Sequence, residues 1–176
     1  MFLMTWAKAC AAVALTGLTG CSPALDWREV RPPGTGARLM FPCKPVSLTR
    51  SVPLAGDAVA LTLLACAADG TTYALTHGDV VDPARVTSAL QALAASAAAN
   101  VAAQADEGEA WQVRGMTPNP QARRWRLAGR LPDGSAVHEQ VLTFAKGTLV
   151  FQATVIGASP SADATAAFFD SVEFSS

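Results

Sequence analysis

Alternation of apolar and polar side chains with a period of two dominates the chain from residue 37 onward and predicts β-strands. Tight-turn dipeptides such as Asp69-Gly70 and Asp133-Gly134 separate neighbouring apolar runs, because both residue types tolerate a positive φ. The predicted strands cover residues 39–41, 46–54, 58–67, 72–77, 111–116, 121–131, 136–145 and 148–156. We expect antiparallel pairing wherever such a turn joins two strands.

The same period of two assigns faces to individual strands. Val59, Leu61 and Leu63 lie on one face of the strand over 58–67, and we expect them to point into the core. Alternate positions from 149 to 155 are also apolar in the last strand. We expect those side chains to be buried in the same way.

Two segments with helical character interrupt the strands. The first begins at Asp82-Pro83, where Asp caps a helix well and Pro fits its first turn, and it runs to about residue 104. The second opens at Ser159-Pro160, with Ser159 as the expected cap. The order of meander, long helix, meander and terminal helix predicts an α+β domain, in which antiparallel β-meanders form a sheet covered by the two helices.

The first twenty residues have a different character from the rest of the chain. Lys8 is their only basic residue, and small and apolar side chains follow it, which is the order of a secretory signal. The run ends in Leu18-Thr19-Gly20-Cys21, and this tetrapeptide resembles the lipobox of bacterial lipoproteins. A membrane-spanning helix needs about 20 apolar residues. Here Ser22-Pro23 and a polar segment end the run too early for that alternative.

The lipobox resemblance implies cleavage before Cys21 and lipid on that cysteine, as a thioether-linked diacylglycerol and an amide-linked acyl chain such as palmitate. Several acyl chains hold a protein stably on a membrane. Ser22 is not Asp, which in the sorting rule of some Gram-negative lipoproteins implies the outer membrane, with the domain facing the periplasm. The chain then divides into a signal peptide over 1–20, a tether over 21–36 and a single domain over 37–176.

The order of elements in the mature part is similar to the PsbP-like fold. The similarity rests on an early Phe41-Pro42 near a strand, the meander–helix–meander order, and a closing helix that ends in Phe168-Phe169-Asp170-Ser171-Val172-Glu173-Phe174. Bacterial relatives of that fold include small envelope lipoproteins. The resemblance implies a fold only, and no functional residues transfer with it.

Export changes how the four cysteines are interpreted. Cys10 leaves with the signal peptide and Cys21 carries lipid, so Cys43 and Cys66 remain. In an oxidising compartment two such thiols predict one disulfide. Two separate buried thiols are the alternative, and the spacing excludes a Cys-x-x-Cys redox motif.

The sequence contains little that indicates catalysis. The two histidines are His77 and His138, and no Gly-x-Ser-x-Gly elbow, metal motif or dinucleotide loop occurs, so we expect no cofactor and no metal. His77 precedes Asp79 and Asp82, and these residues could form a cluster for acid–base work or metal binding. A strand-end histidine that is hydrogen-bonded to the start of the helix is the interpretation we favour.

A row of arginines on one strand is the main functional hint. Arg124, Arg126 and Arg130 share a face of the strand over 121–131, while Trp125 and Leu127 lie on the other. Guanidinium groups match phosphates and carboxylates, so the row could bind an acidic envelope protein or anionic lipid. The alternative, which we favour, is a solvated face whose arginines pair with Glu139 or other neighbours.

These observations lead to one functional hypothesis and one alternative. The hypothesis is a non-enzymatic envelope lipoprotein, attached to the membrane through lipid on Cys21, that acts as an accessory or binding module. The alternative is a small-molecule-binding or weakly hydrolytic periplasmic domain with a cavity near His77 and Asp79. A net charge of −1 gives no general attraction to nucleic acid, so we expect no nucleic-acid partner.

Overall fold

The computed structural model describes residues 25–104 and 107–175. Within these residues there are ten strands, one 3-10 turn and two α-helices. The strands are β1 Arg28–Val30, β2 Ala37–Phe41, β3 Val46–Leu54, β4 Asp57–Ala68, β5 Thr71–Asp79, β6 Glu109–Ala110, β7 Arg123–Arg130, β8 Ala136–Lys146, β9 Leu149–Gly157 and β10 Glu173–Phe174. The 3-10 turn Pro83–Arg85 leads into α1, Val86–Asn100, and α2 covers Ala162–Asp170.

Two antiparallel sheets confirm the α+β prediction. The large sheet has the order β3-β4-β5-β9-β8-β7-β6, and the small sheet has the order β1-β2-β10. The first meander, β3 to β5, and the second meander, β7 to β9, join where β5 pairs with β9. In this pairing Leu75 lies opposite Ala153. The two meanders therefore form one continuous sheet, although the long helix separates them in sequence.

The helix α1 covers one face of the large sheet. Its buried side chains, among them Leu90, Leu93 and Ala97, pack over β8 and β9. The side chain of Asp82 accepts a hydrogen bond from the N–H of Ala84, as expected for the cap at this start. The helix ends at Asn100 and not near residue 104. Among the described residues, no helix combines the length and apolar character needed to cross a bilayer.

The opposite face of the large sheet is covered by α2 and the small sheet. Phe144 and Phe151 stack with their ring centroids 5.0 Å apart, and Phe174 meets both rings edge-on. Phe168 of α2 makes an edge contact with Phe41 of β2. These aromatic contacts, worth about 0.5–1.5 kcal/mol per pair beyond the area they bury, join the two sheets and α2 into one core.

The predicted cap of α2 was wrong by two residues. The N-cap is Ser161, whose hydroxyl oxygen accepts a hydrogen bond from the N–H of Ala164. Ser159 and Pro160 lie in the loop before it. The Ser159-Pro160 pair is the stronger local indication of a helix start, but Ser161 is the residue whose side chain reaches the N–H of Ala164 in the first turn.

The strand predicted over 111–116 is also wrong. β6 has only two residues, and the chain after it forms a loop in which the N–H of Met116 bonds to the carbonyl of Val113. Gly115, at φ +78°, turns the backbone there, and Arg114 instead bridges to Glu173 of β10. Apolar spacing alone could not separate such a loop from a strand.

The segment predicted as a tether contributes its later part to the fold. β1 pairs with β2, and Trp27 and Val30 pack against the core beside the small sheet. The N–H of Asp26 donates to the carbonyl of Pro42 at 2.8 Å. The folded part therefore begins well before residue 37.

The predicted disulfide joins Cys43 and Cys66, with an S–S distance of 2.07 Å and Cα atoms 5.9 Å apart. Cys43 follows β2 and Cys66 lies near the end of β4, so the bond links the small sheet to the large one. Asp26, near the start of the described chain, bonds to Pro42, the residue before Cys43.

The prediction that one face of β4 points inward holds for only part of that strand. Val59 is buried, Leu61 is half-buried, and Leu63 is 37% exposed. The helix α1 packs on the turn end of the β3–β4 hairpin, through Leu54 and Val59, and leaves the other end uncovered. Periodicity predicted the face correctly, but not how far the helix covers it.

Candidate functional site

The strand β7 separates its side chains between two environments. Trp125 and Leu127 are buried against α1, in a cluster with Ala97 and Val101. Arg124 and Arg126 alternate with them and therefore lie on the opposite face, which α2 partly covers. The arrangement of the faces agrees with the alternation in the sequence, but the individual arginines have very different surroundings.

Arg124 is half-buried and packs against two aromatic rings. Its guanidinium carbon lies 4.9 Å from the ring centroids of both Trp111 and Phe169. Its Nη2 and Nε donate to Oε1 of Gln140 at 2.5 and 3.2 Å. The pKa of Arg124 is lowered, first because burial removes water from the guanidinium and second because Arg126 lies nearby. This side chain fixes α2 and the 111–116 loop against the sheet.

Arg126 is the exposed member of the row, with 63% of its side chain accessible. Among the described residues it forms an ion pair with Glu109, in which Nη1 and Oε2 are 3.6 Å apart and both side chains are mostly exposed. Such a surface ion pair contributes at most about 1 kcal/mol and exchanges easily with another anion. Arg126 therefore remains available to a ligand.

Arg126 lines a groove on this face of the sheet. The cavity has a volume of about 330 Å³ and lies between β7, β8 and the loop that precedes α2. Its lining residues are Arg126, Leu127, Ala128, His138, Gln140, Ser159 and Pro160. The groove is thus lined by a guanidinium, an imidazole, an amide and a hydroxyl group together with apolar side chains. Among the described residues, no carboxylate lines it. We call this cavity the arginine groove.

The other arginines support the backbone locally. Arg130 donates from Nη1 to the carbonyl of Gly134 at 2.9 Å, inside the β7–β8 turn. Arg123 donates to the carbonyls of Glu107 and Gly108. The predicted row is therefore three separate positions: Arg124 is structural, Arg126 lines the arginine groove, and Arg130 stabilises a turn.

Glu139, which the sequence offered as a partner for the arginines, faces the other way. It lies opposite Leu127 on the α1 face and is only 5% exposed. Its Oε2 is buried and has no hydrogen-bond partner among the described residues, and this burial raises the pKa of Glu139 to about 7. Glu139 lies on the same face of β8 as Val137 and Val141, and this alternation in the sequence could have predicted that its side chain is buried.

The His77 cluster does not form in the way that catalysis would require. Asp79 accepts a hydrogen bond from the N–H of Val81, and Asp82 is used in capping. His77 packs against Phe151 with ring centroids 6.0 Å apart, and its buried Nε2 has no hydrogen-bond partner in the described ranges. Burial lowers the pKa of His77. The expected hydrogen bond to the start of the helix is therefore not made by Nε2.

Within the described ranges, no group of three or more His, Cys, Asp or Glu side chains is arranged to hold a metal ion. Cys21, the predicted lipidation site, lies outside the described residues. A scan against protein-family models, a search of curated proteins and a search of solved structures each find no match for this chain. The PsbP-like resemblance therefore stays a prediction.

Proposed function

We propose that this chain is a lipid-anchored accessory protein of the bacterial envelope, whose arginine groove binds an acidic group of another envelope component. The observation that carries the proposal is the position of Arg126, which is exposed and lines a groove to which the described part of the chain contributes no carboxylate. Anchoring through Cys21 would keep the groove facing the periplasm.

Two independent features support export and anchoring. The Leu18-Thr19-Gly20-Cys21 segment has the form of a lipobox, and the Cys43–Cys66 disulfide is typical of proteins that fold outside the reducing cytosol. The outer membrane is the proposed location, since Ser22 follows the cysteine.

The chemistry of the groove favours a carboxylate or phosphate group as the ligand. Arg126 can present two parallel N–H donors to such an anion, while the amide of Gln140 and the hydroxyl of Ser159 lie in the same lining. Gln140 is already used by Arg124. Arg126 is therefore the residue on which recognition depends.

Replacement of Cys21 by Ala tests the anchor. We expect the variant to lose incorporation of labelled fatty acid and to accumulate as uncleaved precursor, because the modified sulfur is absent. The wild-type chain, expressed in parallel, should carry the mass of the acyl groups on its first mature residue, Cys21. Labelling that persists in Cys21→Ala would contradict the proposed anchor.

A photo-crosslinking residue at Ala128, in the arginine groove, tests the binding function in the native envelope. We expect a specific adduct that is lost when Arg126 is replaced by Ala. The matched control is Arg31→Ala, which removes an exposed arginine from a similar ion pair with Glu29. A second control places the crosslinker at exposed Ser88 on α1. The same adduct from crosslinkers at Ala128 and Ser88, or an adduct unaffected by Arg126→Ala, would contradict binding in the arginine groove.

A further inference from the structure

An apolar patch is exposed on the open end of the β3–β4 hairpin. Val46 is 75% exposed, Leu48 is 49% exposed and Leu63 is 37% exposed. Leu48 lies directly opposite Leu63 in the antiparallel register, so these side chains share one face of the hairpin. We call Val46, Leu48 and Leu63 the hairpin patch.

Positive charge flanks the hairpin patch. Lys44 and Arg50 are exposed on either side of Val46 and Leu48, and residues 41–56 contain no Asp or Glu. Neither cation takes part in an ion pair within the described ranges. Apolar side chains with cations on either side are complementary to a lipid surface, which has an apolar interior and anionic head groups.

The start of the described chain lies near this patch. The hydrogen bond from Asp26 to Pro42 holds the incoming chain beside Cys43, three residues before Val46. Cys21 precedes Leu25 by four residues, which span at most about 14 Å when fully extended. Lipid on Cys21 would therefore bring a membrane surface close to this end of β3.

We propose that the hairpin patch rests on an anionic lipid surface, with Val46 and Leu48 entering the interface and Lys44 and Arg50 contacting phosphate groups. This inference depends on the lipid anchor in the proposed function. The acyl chains keep the protein on the membrane, and the patch sets its orientation.

The orientation has a consequence for the arginine groove. β3 is one edge of the large sheet, and β7 lies five strand spacings away from it. With about 4.8 Å between neighbouring strands, the groove is roughly 24 Å across the sheet from the patch. Contact at β3 therefore leaves Arg126 free to meet a partner.

The test uses the full chain, purified from membranes and reconstituted in vesicles of phosphatidylcholine with phosphatidylglycerol. A polarity-sensitive fluorophore is attached to Leu48→Cys under non-reducing conditions, which keep the Cys43–Cys66 disulfide closed. The matched control is Val81→Cys, because Val81 is 78% exposed. The preceding residue, Val80, donates its N–H to the carbonyl of Thr148, so this position lies at the opposite end of the strands from the hairpin patch. The mass of the first mature residue is measured on the same samples.

With acylation present, we expect a lipid-borne quencher to quench the probe at 48 several-fold more than the probe at 81. Vesicles without phosphatidylglycerol, or substitution of both Lys44 and Arg50 by Ser, should reduce that difference. Equal quenching at both sites in acylated protein would overturn the patch proposal alone. A probe at 48 that is shielded without lipid quenching would identify a second copy of this chain as the occupant, and would also overturn it. Absence of the acyl mass would overturn both the anchor and this inference.

Discussion

A Cβ atom on Gly129 would lie 2.0 Å from the carbonyl oxygen of Val101, the residue that follows α1. The same carbonyl accepts a hydrogen bond from the N–H of Arg130 at 2.7 Å. The end of the helix therefore rests directly on the backbone of β7. Glycine is required at this point because no side chain fits between the two segments.

Gly129→Ala should destabilise the domain by about 3 kcal/mol, because either the helix end or the strand must move away from the added methyl group. Chemical denaturation followed by circular dichroism measures this loss. Ala128→Ser, at an exposed neighbouring position, should change stability by less than about 0.5 kcal/mol. Equal stabilities for the two variants would show that the helix is free to shift.

Arg124 and Arg126 should respond differently to the same substitution. Arg124→Lys should lower the free energy of unfolding by about 1–2 kcal/mol, since an ammonium group cannot reproduce the contacts with two rings and Gln140. Arg126→Lys should change it by less than about 0.5 kcal/mol, as its ion pair is exposed. Thermal and urea unfolding of both variants provides the measurement. An identical small effect at both positions would contradict the structural role of Arg124.

Glu139 should make the protein less stable as the pH rises. Its pKa is about 7 in the folded state and near 4.5 as a free side chain, so folding takes up a proton between these values. Stability is then fully present below about pH 4.5 and is lost as the pH rises to about 7. The shift corresponds to about 3 kcal/mol.

Glu139→Gln isolates this effect, because the amide has a similar shape and does not titrate. The wild-type free energy of unfolding minus that of Glu139→Gln should fall by about 3 kcal/mol between pH 4 and pH 8. Taking the difference removes the contributions of His77 and the surface carboxylates, which are common to both proteins. Parallel pH curves would mean that burial does not raise the pKa of Glu139 in the folded protein.

Removal of the disulfide should cost about 3 kcal/mol, since the bond closes a loop between residues 23 apart in sequence. The variant Cys43→Ser with Cys66→Ser should therefore unfold at lower denaturant concentration than the oxidised protein. Wild-type protein treated with a reductant should match the variant. If the reduced wild-type protein is as stable as the oxidised protein, β3–β4 pairing and the small sheet suffice to hold this region.

Local patterns in the sequence were enough to predict most of the large sheet. Alternating apolar residues and Asp-Gly turns placed the strands from 46 to 77 and from 136 to 156 with small boundary errors. These elements depend on short-range steric preferences and on one buried face, and both are visible in a window of ten residues. The α+β order followed from them.

Two of the errors, at β10 and at the loop over 111–116, lie where distant segments meet. β10 exists because Glu173 and Phe174 pair with Arg38 and Ala37, far away in the chain. The loop over 111–116 fails to become a strand because its backbone bonds to Ala122, to Phe174 of β10 and within its own turn. Hydrogen bonds between such remote segments leave no local pattern.

The sequence by itself determined the strand faces, the class of fold, the pairing of Cys43 with Cys66 and the hypothesis of a lipid-modified Cys21. Only the tertiary structure decided that Arg124 is half-buried against two rings, that Arg126 lines a groove, and that Leu63 is left exposed. Alternation assigns a side chain to a face because the backbone geometry of a strand is local. What lies against that face depends on where α1 and α2 end and pack, which is decided by contacts across the whole domain.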